Sequence, residues 1–153
     1  MGNLETEFPK GTEAAFGRVL NRDLFFFLLD LEVKRAQRYQ DFLCLMSLKI
    51  EHPTRDGNEA DLQSCHRTLI NLLIEEMRES DIIGSLELSK LVVLLPYADP
   101  YAGAYVKSRF EDALKCYAFK EKGFEILVDQ VCFPVNGTNT MDLVRKALGT
   151  THG

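Results

Sequence analysis

Nothing in this sequence is long and apolar enough to cross a membrane. Its longest uninterrupted apolar run, Leu24 to Leu29, falls far short of the ~20 residues that a spanning helix needs, and no signal-peptide pattern opens the chain. A cytoplasmic protein without membrane insertion is therefore expected. Positive charge is scarce too: 18 Lys and Arg against 23 Asp and Glu leave a net charge of -5. That balance excludes the broad basic field of a general nucleic-acid or acidic-membrane binder, though not a local basic site. The 4 cysteines, Cys44, Cys65, Cys116 and Cys132, include no C-x-x-C pair and sit in apolar surroundings, so they read as structural thiols rather than a disulfide framework or zinc site. His52, His66 and His152 share no ligand spacing with one another or with the cysteines. There is no Gly-rich phosphate loop, no nucleophile motif and, at Asp56 to Glu59, no calcium-loop ligand order. Neither a metal nor a cofactor is expected.

What is present suits one soluble globular domain, with 153 residues, 46% of them hydrophobic and 27% charged. Residues 1–11 are polar, with Pro9 and Gly11, and read as a flexible N-terminal segment ahead of a domain at residues 12–150. A helical pattern runs from Thr12 to about Tyr39, with a possible interruption at Asn21 and Asp23. Within it Leu24 to Leu29 is apolar on all sides, although a surface helix buries only one stripe. Leu24, Phe26 or Phe27 must meet a second surface or face solvent. The choice lies between a helix laid across the core and a contact with a second copy or another signalling domain.

Phe42 to Ile50 is a near-continuous apolar run, as a strand covered on both faces would be. A turn with Pro53, Asp56 and Gly57 follows, and Asn58 can cap a helix in which Leu62, Leu69, Leu73 and Met77 recur at helical spacing. That helix is expected to end on Arg78 to Asp81. Ile82-Ile83 and Leu91 to Leu95 flank the polar-interrupted Gly84 to Lys90, a hairpin signature closed by Pro96. Asp99-Pro100 opens another helix carrying Ala102, Val106, Phe110, Ala113 and Tyr117 on one face. A strand over Phe124 to Phe133 and a short helix over Met141 to Leu148 complete the chain. The central order is βαββαβ, an α+β, ferredoxin-like arrangement with an antiparallel sheet and helices packed mainly on one face.

Several stretches are similar to the GGDEF domain of diguanylate cyclases. Asn21-Arg22 with Phe25 resembles that family's opening Asn-Arg-x-x-Phe, Arg35 to Tyr39 its Arg-x-Arg-Tyr, and Phe133 to Thr138 its Tyr-Pro-x-Asp-Gly-Thr. Arg78-x-x-Asp81 followed by the hairpin matches the frame around its signature turn. The resemblance covers roughly Asn21 to Leu148 and implies the family's palm-like fold.

The same resemblance implies that the catalytic machinery is gone. The signature Gly-Gly-Asp-Glu-Phe falls on Glu87, Leu88, Ser89, Lys90 and Leu91, none of which is retained. The family's metal carboxylates fall on Ser47 and on Ser89 or Lys90, and a serine or an ammonium cannot replace the anionic oxygens that hold magnesium or manganese. The usual Gly-Asp of the second helix is Leu62-Gln63, and the family's opening Asp-x-Leu-Thr-Gly-Leu is reduced to Ala14 through Val19. No catalytic residue and no cyclase activity are expected.

One family site is matched. Diguanylate cyclases often carry an inhibitory site in which an Arg-x-x-Asp and an arginine on the following helix bind cyclic di-GMP. Arg78, Asp81 and Arg109 stand at those positions. A guanidinium fork suits phosphate and guanine edges, and a carboxylate can accept from guanine. The alternatives are a receptor module using this trio, and a pure interaction module in which Arg78 and Asp81 are a helix-terminal charge pair and Arg109 is a solvated helix residue.

Overall fold

The structure, a computed structural model, describes residues 19–52 and 59–149. The N-terminal segment, the helical start at Thr12, the Ala14 to Arg18 stretch and the turn from Pro53 to Asn58 with its expected cap lie outside those residues.

The chain enters through a short strand β1 (Val19–Leu20), which corrects the helical pattern expected over these two residues, and the possible interruption at Asn21 is where the helix begins. Asn21 is the reason. It is extended, and its side chain accepts a hydrogen bond from the Leu24 N–H at 2.9 Å, so it caps helix α1 (Arg22–Tyr39). Val19 and Leu20 then pair in parallel with Ile83 and Gly84. Phe25, Leu29, Val33 and Ala36 form the buried stripe of α1. Phe26 is half-buried, edge-on to Phe25, under the Arg22 guanidinium. Leu24, Phe27 and Leu31 are exposed by 45%, 60% and 50%, an apolar row on the outer face.

The remaining elements are β2 (Leu43–Glu51), α2 (Glu59–Glu76), β3 (Ile82–Glu87), β4 (Lys90–Pro96), α3 (Pro100–Leu114), β5 (Glu125–Phe133) and α4 (Thr140–Leu148). Asp99 caps α3 by accepting from Ala102 N–H at 2.8 Å, and Asn139 caps α4 through Asp142 N–H at 2.8 Å. Tyr117, expected on the face of α3, lies past its end.

The sheet has the order β1-β3-β4-β2-β5. Its βαββαβ centre is antiparallel throughout, as expected, while β1 makes the whole sheet mixed. The two helices of that centre share one face, as expected, while α1 and α4 cover the other. Met46, Leu69, Leu73, Val93 and Phe110 form a core under α2 and α3. On the opposite face Phe25, Leu29, Leu45, Leu94 and Leu143 form a second core under α1 and α4. The near-continuous apolar runs of β2 and β4 demand that double cover, since successive side chains point to opposite faces.

One close approach sets a helix on the sheet, and one link ties two of its strands. A Cβ on Gly84 would sit 2.6 Å from the Phe25 ring, so the bare backbone of β3 lets α1 lie on the sheet. Cys44 and Cys132, direct partners in the β2–β5 register, are joined as a disulfide across 88 residues of sequence. This corrects the reading of all the cysteines as thiols. Spacing carried no such signal, because only strand register brings the two together.

Candidate functional site

Helix α2 ends at Glu76 rather than continuing through Arg78 to Asp81. Those four residues form a turn, in which Asp81 N–H donates to the Arg78 carbonyl at 3.0 Å. The Asp81 carboxylate closes the turn from inside. It accepts from the Arg78 backbone N–H at 2.8 Å, from Nη2 at 2.9 Å and from Nε at 3.4 Å. By taking that backbone N–H, Asp81 supplies an acceptor that turns the chain away from the helix. Asp81 is the buried charged residue among those described, at 3% exposure, whereas the Arg78 side chain is 58% exposed. A fixed carboxylate thus holds a surface guanidinium in place.

Arg109 comes to the same place from α3. Its Nη2 donates to the Glu76 carbonyl at 2.5 Å, and its Nε lies 3.7 Å from the Glu76 carboxylate. That carbonyl is one of the acceptors that a helix end leaves without an intrahelical donor. The Arg109 Nε is itself buried without a hydrogen-bond acceptor. The structure therefore brings Arg109 to the last residue of α2, two residues before Arg78, and pairs Arg78 with Asp81 in the turn that follows. Sequence reasoning missed Glu76, which supplies both the carbonyl and the carboxylate that Arg109 meets.

Residues 87–91, where the sequence resemblance lays the family signature, run from the end of β3 through the β3–β4 turn into β4. Glu87 faces Lys90 in register, with Lys90 Nζ 3.8 Å from the Glu87 carboxylate, and Leu88-Ser89 make the bend. The Ser89 carbonyl accepts from Ile50 N–H at 2.8 Å, which ties the bend to the end of β2. Beside it Ser47, Lys49, Lys90, Leu127, Asp129 and Lys146 line a cavity of about 180 Å³. Asp129, directly across from Ser47 in the β2–β5 register, was not singled out by the sequence. One carboxylate among several ammonium groups is a poor donor set for a divalent cation, which wants several oxygen ligands and negative charge. Lys49 pairs with Glu51 at 3.3 Å, and Lys146 donates to the Asn136 carbonyl at 2.5 Å.

A larger cavity of about 420 Å³ lies between α2 and the α3–β5 connection, lined by Asp61, Ser64, Cys65, Thr68, Tyr117 and Lys122 among others. Burial pushes the Cys65 thiol up to about 11, against a smaller opposing effect of Lys122, so it carries no thiolate near neutrality. His66 faces the sheet, with Nε2 3.0 Å from Ser85 Oγ. Among the described residues no group of His, Cys, Asp or Glu converges as a metal site, and no helix is long and apolar enough to cross a membrane.

No protein-family model matches the sequence, and no curated protein matches it. Solved structures do. The isolated GGDEF domain of YfiN, also called TpbB, from Pseudomonas aeruginosa is 17% identical with a TM-score of 0.72, over 84% of this chain and 80% of that one. The active GGEEF domain of a diguanylate cyclase from Vibrio cholerae is 12% identical with a TM-score of 0.69, over 87% and 88%. A microbial GGDEF domain, in a structure concerned with its interaction with cyclic di-GMP, is 16% identical with a TM-score of 0.66, over 87% and 83%. This chain has the GGDEF-domain fold.

Proposed function

We propose that this domain is a cytoplasmic cyclic di-GMP receptor without cyclase activity, with Arg78, Asp81 and Arg109 as its ligand site. The observation that carries the reading is the meeting of Arg109 with Glu76, two residues before Arg78, which brings the arginine of α3 to the end of α2 that leads into the Arg78–Asp81 turn. The buried Asp81 pre-orders Arg78, so less side-chain freedom is lost on binding. Loss of catalysis is supported by Ser47 and Lys90 beside Lys49 and Lys146, a cavity where positive charge replaces the expected carboxylates.

Incubating the protein with GTP and magnesium or manganese tests the inactive half of this reading. No cyclic di-GMP above a no-protein control is expected, and turnover lost on mutating residues 87–91 would overturn it. Equilibrium dialysis against cyclic di-GMP tests the other half, with saturable binding expected and none refuting it.

A second reading has its own observation. Leu24, Phe27 and Leu31 form an exposed apolar row on α1, fit for a second copy or another signalling domain. Phe27→Asp should then lower the apparent mass in solution with unchanged circular dichroism; a monomeric parent removes self-association from consideration.

A further inference from the structure

We propose that Tyr105 is the stacking platform for a guanine base of the ligand gripped by Arg78 and Arg109; this deepens the receptor reading and rests on it. The chain has 5 tyrosines, and most of their rings are already occupied. The Arg38 guanidinium lies over Tyr39, the Arg35 guanidinium lies 4.2 Å from the Tyr97 centroid, and Tyr117 stacks on Phe119. Among the described residues, Tyr101 and Tyr105 make no ring or cation contact, and they are 87% and 66% exposed. Both belong to α3, the helix that carries Arg109.

Position separates the two. Tyr105 precedes Arg109 by four residues, so the two are surface neighbours one turn apart. Side chains of a helix lean toward its N-terminus, which carries the Arg109 stem over the turn that bears Tyr105. Since Arg109 reaches across to Glu76, the strip shared by Arg109 and Tyr105 lies toward the α2 corner. Tyr101 is a further turn away, about 12 Å along the axis from Arg109 at 1.5 Å per residue. Gly103 and Phe110 are buried, which puts the sheet side of α3 elsewhere and leaves the Tyr105 ring standing outward. Guanidinium groups can hold phosphate oxygens and guanine edges, but the base also has apolar faces, and an aromatic ring beside the grip covers one of them.

Calorimetry and tyrosine emission together test this, helped by the absence of tryptophan from the chain. Tyr105→Ala should weaken cyclic di-GMP binding by about ten- to a hundredfold, the range of a lost base–aromatic stack. Tyr105→Phe keeps the ring and should bind within about twofold of the parent, as should Tyr101→Ala. Ligand should quench the emission of the parent and of Tyr101→Phe, while Tyr105→Phe should bind with little quenching. Circular dichroism on each variant confirms the fold. A parent that binds as tightly as Tyr105→Ala overturns the stacking role and leaves the site standing. A parent that takes no ligand overturns the receptor reading and this inference with it.

Discussion

Arg109 spans from α3 to the final residue of α2, where its Nη2 donates to the Glu76 carbonyl and its Nε stands 3.7 Å from the Glu76 carboxylate. The carbonyl contact positions the guanidinium; the carboxylate competes with any phosphate for it. Glu76→Gln keeps the carbonyl and removes the competitor. Cyclic di-GMP affinity should rise by about two- to fivefold, the scale of a partly exposed ion pair. Weaker binding in a calorimetric titration would mean that Glu76 assists the ligand instead.

Asp81 is the pivot of the corner. Replacing it by alanine removes its hydrogen bonds to the Arg78 backbone N–H and guanidinium. Asp81→Ala should cost about 1.5 to 3 kcal/mol of stability, the range for hydrogen bonds involving a charged group. Urea unfolding reads this, and an unchanged midpoint would show that the turn is held by the chain on either side.

Gly84 is required by contact, not by backbone angle. Its missing Cβ leaves room for the Phe25 ring, which would otherwise stand 2.6 Å away. Gly84→Ala should destabilise by about 1 to 3 kcal/mol, as overpacking does. Adding Phe25→Leu should return part of that loss, and simple additivity of the two would contradict the clash.

His66 gives a signed pH dependence. Burial, with a smaller effect of Arg67, holds its imidazole below the ordinary 6.5. The unfolded chain therefore takes up this proton at higher pH than the folded one. The stability that neutral His66 contributes is complete above its unfolded value and is lost as the pH falls through the folded one. Between about pH 7.5 and about pH 5.5, the urea midpoint of the parent should fall more than that of His66→Gln. Equal falls would assign the acid sensitivity to other groups.

Much of this was legible in the residues because local chemistry writes it locally. The hairpin, the apolar runs of β2 and β4 and the Pro-led start of α3 each carry their own periodicity or punctuation. The resemblance to GGDEF domains rested on short strings such as Arg78-x-x-Asp81 and Phe133 to Thr138, and the element order agreed with it. Less legible was whatever depends on what the chain meets across space. Val19-Leu20 reads as helix until the edge of β3 is there to receive it. The Cys44–Cys132 link depends on strand register. Residues 78–81 look like a helix end because the spacing of Arg78 and Asp81 suits one, but the buried carboxylate makes a turn of them. Glu76 had no motif to mark it; its role exists only because Arg109 arrives from α3. Asp129 likewise gains meaning only opposite Ser47.

The most direct measurement is a calorimetric titration of cyclic di-GMP into the parent and into Arg78→Ala, Arg109→Ala and Lys90→Ala. A lost charged hydrogen-bonding partner costs ~1.5 to 3 kcal/mol, and ~1.4 kcal/mol is one decade in affinity. The parent should bind, Arg78→Ala and Arg109→Ala should each bind about ten- to a hundredfold more weakly, and Lys90→Ala should match the parent. No heat with the parent, or a loss confined to Lys90→Ala, would contradict a receptor site at the α2–β3 corner.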